Sequence, residues 1–191
     1  MNRSRPRLLL AFTVLTAAWL TACQSAPTRI YTLYAVAPVA PREPYTGPAL
    51  RIDAVHFPPA LDRIEIVRDI APGEMSLSDL DHWSAPLGEA ARQALSADLV
   101  QRLPSGKAIF PHLNKPDGAL GVAVDVLEFK ADHDGALLVA SWVVSAAGQP
   151  AASNPATATL RTDTPSGNAA ATAQALSALL AQLADRIVDG L

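Results

Sequence analysis

The chain has 191 residues, with 15 Lys and Arg against 18 Asp and Glu, a formal net charge of −3 and a single cysteine. One cysteine excludes an intramolecular disulfide, so a folded body must rest on a hydrophobic core, for which half of the residues are apolar. The acidic balance and the lack of a basic stretch argue against nucleic acid as a partner and against an electrostatic grip on anionic lipid.

Arg3, Arg5 and Arg7 precede an apolar run from Leu8 to Leu20 that only Thr13 and Thr16 interrupt. A basic segment followed by a short apolar one is the pattern of a secretory signal, and the run is shorter than the ~20 residues that span a bilayer. It ends in Leu20-Thr21-Ala22-Cys23, which resembles a lipobox: small residues before the cut, and after it a thiol to take a diacylglycerol and an amine to take a third acyl chain. The sole cysteine stands at the one position this chemistry needs. Residues 1–22 are therefore expected to be a lipoprotein signal peptide, 23–28 a lipidated tether and 29–191 the folded domain, with Cys23 as the lipid attachment site. Cleavage would remove three arginines, leaving 169 residues with 12 basic against 18 acidic groups, a net charge of −6. Contact with the membrane then rests on acyl chains, each buried CH₂ contributing about 0.8 kcal/mol. Gln24 follows the cysteine. By the sorting habit of Gram-negative lipoproteins, that leaves the inner leaflet of the outer membrane, facing the periplasm, as the expected destination.

Arg29 to Tyr34 is a short strand-forming run. Ala35 to Ala49 holds Pro38, Pro41, Pro44 and Pro48 and reads as an extended loop, either a linker or a binding loop. Leu50 to Val55 alternates as a strand, with Leu50, Ile52 and Ala54 on one face. Pro58-Pro59 ends it. Ile64 to Val67 gives a second strand, closed by Asp69 and Pro72-Gly73, and Met75 to Ser78 a short extended piece. The clearest helix runs from Ala85 to Leu103. Its buried row is Leu87, Ala91, Leu95, Leu99 and Leu103, widened by Ala94, with Ser84 as N-cap and Pro86 in the first turn. Leu120 to Asp132 and Ala136 to Ser145 form a hairpin over the Asp-Gly turn Asp132-His133-Asp134-Gly135. Leu127 and Phe129 break the parity of Val122, Val124 and Val126, and a β-bulge near Val126 would return all of them to one side. Leu138, Ala140, Trp142 and Val144 make the core face of the partner strand. Ala156 to Asp163 suits an edge. A closing helix from about Asn168 to Asp189 buries Ala173, Leu176, Leu180, Leu183 and Ile187. The expected fold class is α+β, a largely antiparallel or mixed sheet with two main helices packed on one face.

Chemistry is harder to find. His56, His82, His112 and His133 have no helical spacing that would hold a metal, and Asp132-His133-Asp134 reads as a solvated turn. GxSxG, SxxK and Gly-rich phosphate loops are missing, and Cys23 is committed to lipid. The expectation is a protein that is not an enzyme and takes neither metal nor cofactor. Trp142 falls on a core face. Trp83 either packs at the helix start or stands exposed as an anchor for a partner.

One family resemblance gathers these features. A lipobox, the strand Tyr31-Thr32-Leu33, the step Pro58-Pro59-Ala60-Leu61-Asp62-Arg63, the strand Ile64 to Val67 and the helix start Trp83-Ser84-Ala85-Pro86-Leu87 follow in order. Together they resemble the ABC-type transport auxiliary lipoprotein family, to which paraquat-inducible protein C belongs. The resemblance implies a non-catalytic accessory of an MCE-type ABC system for lipid transport between membranes, docking a periplasmic MCE-domain protein. It carries over no site residue except Cys23, and leaves open whether Leu61, Asp62 and Arg63 determine the fold or make contacts. Homo-oligomer formation is also left open. The competing readings are an envelope lipoprotein that binds a lipid or apolar ligand itself, and one with a purely structural role.

Overall fold

Runs of β-branched and aromatic residues between proline and glycine turns build two sheets. The computed structural model describes residues 26–39, 44–71, 73–132, 134–146, 155–163 and 167–191. The expected signal peptide, Cys23, Gln24, Pro41, Pro72 and His133 lie outside the described residues. In chain order the elements are β1 (Arg29–Tyr31), β2 (Leu50–His56), β3 (Glu65–Ala71), β4 (Glu74–Trp83), α1 (Leu87–Arg102), β5 (Ala108–Ile109), β6 (Leu120–Asp132), β7 (Gly135–Ala146), β8 (Ala156–Thr162) and α2 (Ala169–Asp189). The α+β expectation holds. Strands divide into a three-stranded sheet, β1-β4-β3, and a five-stranded sheet, β5-β2-β6-β7-β8.

The larger sheet is mixed: β2 runs parallel to β5 and β6, while β6-β7 and β7-β8 are antiparallel. Edge position for β8 was expected from its polar sequence and is found. Both helices pack on this sheet, α1 mainly against β2 and α2 against β6, β7 and β8. The core lies between these layers, where Leu50, Ile52, Leu95, Leu99, Val122, Val124, Leu138, Leu179, Leu180, Leu183 and Ile187 are almost wholly buried. Each such side chain contributes about 1.5–3 kcal/mol by leaving water. Every member of the two helical rows read from the sequence is buried.

Four local features differ from the sequence reading. The register of β2 shifts between Ile52 and Ala54, so the buried side passes from Ile52 to Val55 and Ala54 is only half-buried. The short piece at Met75 is the start of a ten-residue strand, which β3 pairs along most of its length and β1 near its end. Ser84 does not cap α1: Pro86 occupies the N-cap without a side-chain bond. Asp62, brought in from the turn after β2, accepts the Gly88 N–H at 2.9 Å instead. A Cβ at position 88 would sit 2.9 Å from the Val55 carbonyl, so glycine there allows the close approach. Finally, the bulge in β6 is present between Val126 and Glu128, but it returns only Phe129 to the core and turns Leu127 outward. At α2 Asn168 is the N-cap, its Oδ1 accepting the Ala171 N–H at 2.9 Å.

Candidate functional site

The β2–β6 pair sets the ends of the larger sheet. Leu50 lies beside Leu120 and His56 beside Asp125, so the second half of β6 runs on past the end of β2. There the bulge presents Leu127, 69% exposed, and the Phe129 ring meets Phe57 edge-on with centroids 5.4 Å apart. The chain turns at Pro58–Leu61, and β3 comes back beside the end of β6 that β2 does not cover. Between them is a groove of about 240 Å³ whose apolar lining includes Pro58, Leu61, Val67, Met75, Leu127 and Phe129. Next to it, charged side chains of the β6–β7 and β8 ends, among them Glu128, Lys130, Asp132, Arg161 and Asp163, line a polar cleft of about 480 Å³.

The β3–β4 hairpin forms the groove's outer lip. Val67 pairs with Leu77 and Asp69 with Met75. Residues Glu74 to Leu77 are exposed, with Met75 at 49% and Leu77 at 43%. A two-stranded ribbon has little intrinsic stability of its own, and Met75 lines the groove together with the exposed Leu127. β1 supports this sheet from the other side of β4. Arg29 Nε donates to Asp81 Oδ1 at 2.7 Å. Burial opposes charge on Asp81, but the hydrogen bond and charge of Arg29, with help from Ser78 and Arg68, hold its carboxyl below the usual range.

From β1 the chain crosses the helix pair as a strap. Leu33 is buried in the core. The Tyr34 N–H donates to Ser177 Oγ on α2 at 3.2 Å, and the Val36 N–H to Asp98 Oδ1 on α1 at 2.9 Å. Arg102 Nη1 donates to the Val36 carbonyl and to Asp98 Oδ1, both at 3.1 Å, and its Nε to Asp185 Oδ1 at 2.6 Å. The Asp98 side chain is 0% exposed, and its Oδ2 is buried without a partner among the described residues. Burial pushes the Asp98 carboxyl up to about 6, outweighing the opposing effects of the Val36 N–H and Arg102.

The sequence candidates fall as follows. Cys23 lies outside the described residues. Trp83 is buried in the core, so packing and not exposure is its role, and Trp142 is buried on its expected face. Asp62 caps α1 and so is part of the fold, while Arg63 Nε reaches Glu65 at 2.9 Å in a half-exposed local pair. His56 is exposed, as is His112, and His82 half-buried. Among the described residues no group of three His, Cys, Asp or Glu is arranged to hold a metal ion. The Asp134 N–H closes the hairpin turn on Asp132 Oδ1 at 2.8 Å. The groove and its lip were not anticipated, although the off-parity Leu127 and the alternation of Met75 and Leu77 were their trace in the sequence. Asp98 and Arg102, one turn apart beside the Leu95–Leu99 row, were the trace of the strap's clamp.

Comparison with known proteins agrees with this architecture. The family model described as ABC-type transport auxiliary lipoprotein component matches residues 31–188. A solved structure titled only as an uncharacterized protein superposes with a TM-score of 0.69 at 18% identity, covering 86% of this chain and 99% of its own. A Xanthomonas campestris protein assigned to the family model DUF330 gives 0.64 at 20% identity, covering 84% and 92%. At these identities the likeness is one of fold. No curated protein sequence matches the chain. Among the described residues no helix is long and apolar enough to cross a membrane.

Proposed function

Because the chain belongs to the ABC-type transport auxiliary lipoprotein component family, we propose that it is the lipid-tethered docking component of an MCE-type transport system, fixed to the inner leaflet of the outer membrane. It engages the periplasmic MCE-domain protein and performs no catalysis. The observation that carries this reading is the family match over residues 31–188, taken with Leu20-Thr21-Ala22-Cys23 ahead of it. Anchoring contributes by raising effective concentration, so that a weak protein contact becomes a stable post between membranes. The two concavities support a protein or surface contact over a lipid cargo: the apolar groove, at about 240 Å³, is below the roughly 300–1,000 Å³ of small-molecule sites, and the cleft of about 480 Å³ is lined mainly by charged and polar side chains.

The test is in-cell crosslinking of the tagged protein, detergent extraction and mass spectrometry of what copurifies, with Cys23→Ala as the untethered control. Recovery of an MCE-domain protein, reduced in the control, is the expected result. No such protein in either sample, from cells shown to make one, overturns the docking role.

A further inference from the structure

We propose that the β3–β4 hairpin is the membrane-facing end of the protein, its apolar residues Met75 and Leu77 resting on the phospholipid surface that holds the acyl chains. The inference rests on the lipid anchor at Cys23 that the proposed function assumes. It follows from the direction and the length of the tether. β1 runs parallel to β4, with Arg29 opposite Asp81, Ile30 opposite His82 and Tyr31 opposite Trp83. The chain ahead of Arg29 therefore heads back along β4 toward its beginning, the hairpin turn. Ala26 to Thr28 are exposed and carry no regular pairing that would draw them elsewhere.

From Asp81 back to Met75 is six residues, but the register shift gives β4 three residues more than the Glu65–Val67 stretch opposite, so the advance is that of fewer than four strand steps, about 10–13 Å. From Arg29 back to Cys23 is also six residues, which even fully extended reach at most about 20–22 Å. Acyl chains on Cys23 would thus enter the bilayer no more than about 10 Å beyond the level of Met75. A body held on so short a lead stays close to the surface, and the element beside the lead is the hairpin.

Its composition suits a shallow contact. Met75 and Leu77 are exposed on the hairpin, and Ile30 is 62% exposed on the neighbouring β1. Glu74 and Asp79 are exposed among them, which limits the contact to headgroup depth. The far end of the larger sheet, where β5 leads to the exposed Phe110 and Leu113, then faces the periplasm and is free for the partner protein.

Cys23 is the only cysteine and is blocked once acylated, so an introduced thiol is the sole labelling site. Leu77→Cys and, as control at the opposite end, Leu113→Cys are made in the full chain and purified from membranes. Each carries an environment-sensitive fluorophore and is reconstituted into phosphatidylethanolamine–phosphatidylglycerol vesicles with and without lipid that carries a nitroxide quencher on its headgroup. Both positions are exposed, so both variants should fold as the parent does. The expected result is loss of fluorescence in the nitroxide vesicles at Leu77→Cys and none at Leu113→Cys. If intact-mass measurement finds the diacylglycerol on Cys23 and Leu77→Cys is not quenched, the hairpin assignment is overturned while the anchor stands. If the acyl mass is absent, the anchor and the assignment fall together.

Discussion

Asp98→Asn tests the account of the buried clamp, because the substitution keeps the shape and the acceptor for the Val36 N–H while removing the charge. An aspartate in the unfolded chain titrates near ~3.9, and in the folded protein burial moves Asp98 to about 6. Between those values the unfolded chain is ionised while the folded one holds the proton. This contribution is therefore fully present at low pH and is lost as pH rises through 6. The difference is about two units at ~1.4 kcal/mol each, a handicap on the order of 3 kcal/mol at pH 7 that the asparagine does not carry. For a domain of this size that corresponds to roughly 5–10 °C in Tm. Thermal and urea unfolding of the mature chain in detergent, parent beside variant, at pH 7 and pH 4, measures it. The variant should be the more stable at pH 7, with the gap closing at pH 4. A variant less stable at pH 7 by an amount that persists at pH 4 would refute the reasoning and make the Asp98–Arg102 pair net stabilising as an ion pair.

Two further substitutions probe the frame around the groove. Asp62→Ala leaves the Gly88 N–H at the start of α1 without its acceptor and should cost about 1 kcal/mol in urea unfolding. An effect within error would mean that water replaces the carboxylate. Gly135→Ala places a methyl group against the Thr162 carbonyl at a φ of +131°. It should cost at least about 2 kcal/mol, read as a lower urea midpoint with an unchanged slope.

What the sequence made legible was governed by period and by turn chemistry. The two helices, the β6–β7 hairpin and the edge strand β8 all declare themselves through apolar spacing or an Asp-Gly turn, which local sequence determines. Ala54 and Leu127 were misjudged because a bulge resets parity, and on which side the extra residue lands depends on the strand across from it: Ala140 pairs with Val126 and Val139 with Glu128, leaving Leu127 over. The cap of α1 was misjudged because its acceptor, Asp62, is distant in sequence and arrives only when the β2 turn folds back. The full length of β4 was hidden for a related reason. Glu74 to Leu80 has too little apolar content to read as a long strand, and its pairing with β3 and β1 supplies what composition does not. The groove exists only where those tertiary pairings meet, so no single segment carried its signature beyond two exposed apolar positions and one residue out of step.

The strap joins residues that are made first to residues that are made last. Tyr34 is bonded to Ser177, 143 positions away, and Arg102 to Asp185 across 83. β1 and the strap therefore have no finished seat until α2 has emerged, and closure of such distant contacts is slow. For a chain threaded through a translocation channel from its N-terminus, this order of events keeps the early segment extended while the rest follows. Under the proposed role of Cys23 as lipid attachment site, its thiol would meet the modifying enzymes on an open chain, and the domain would close behind it.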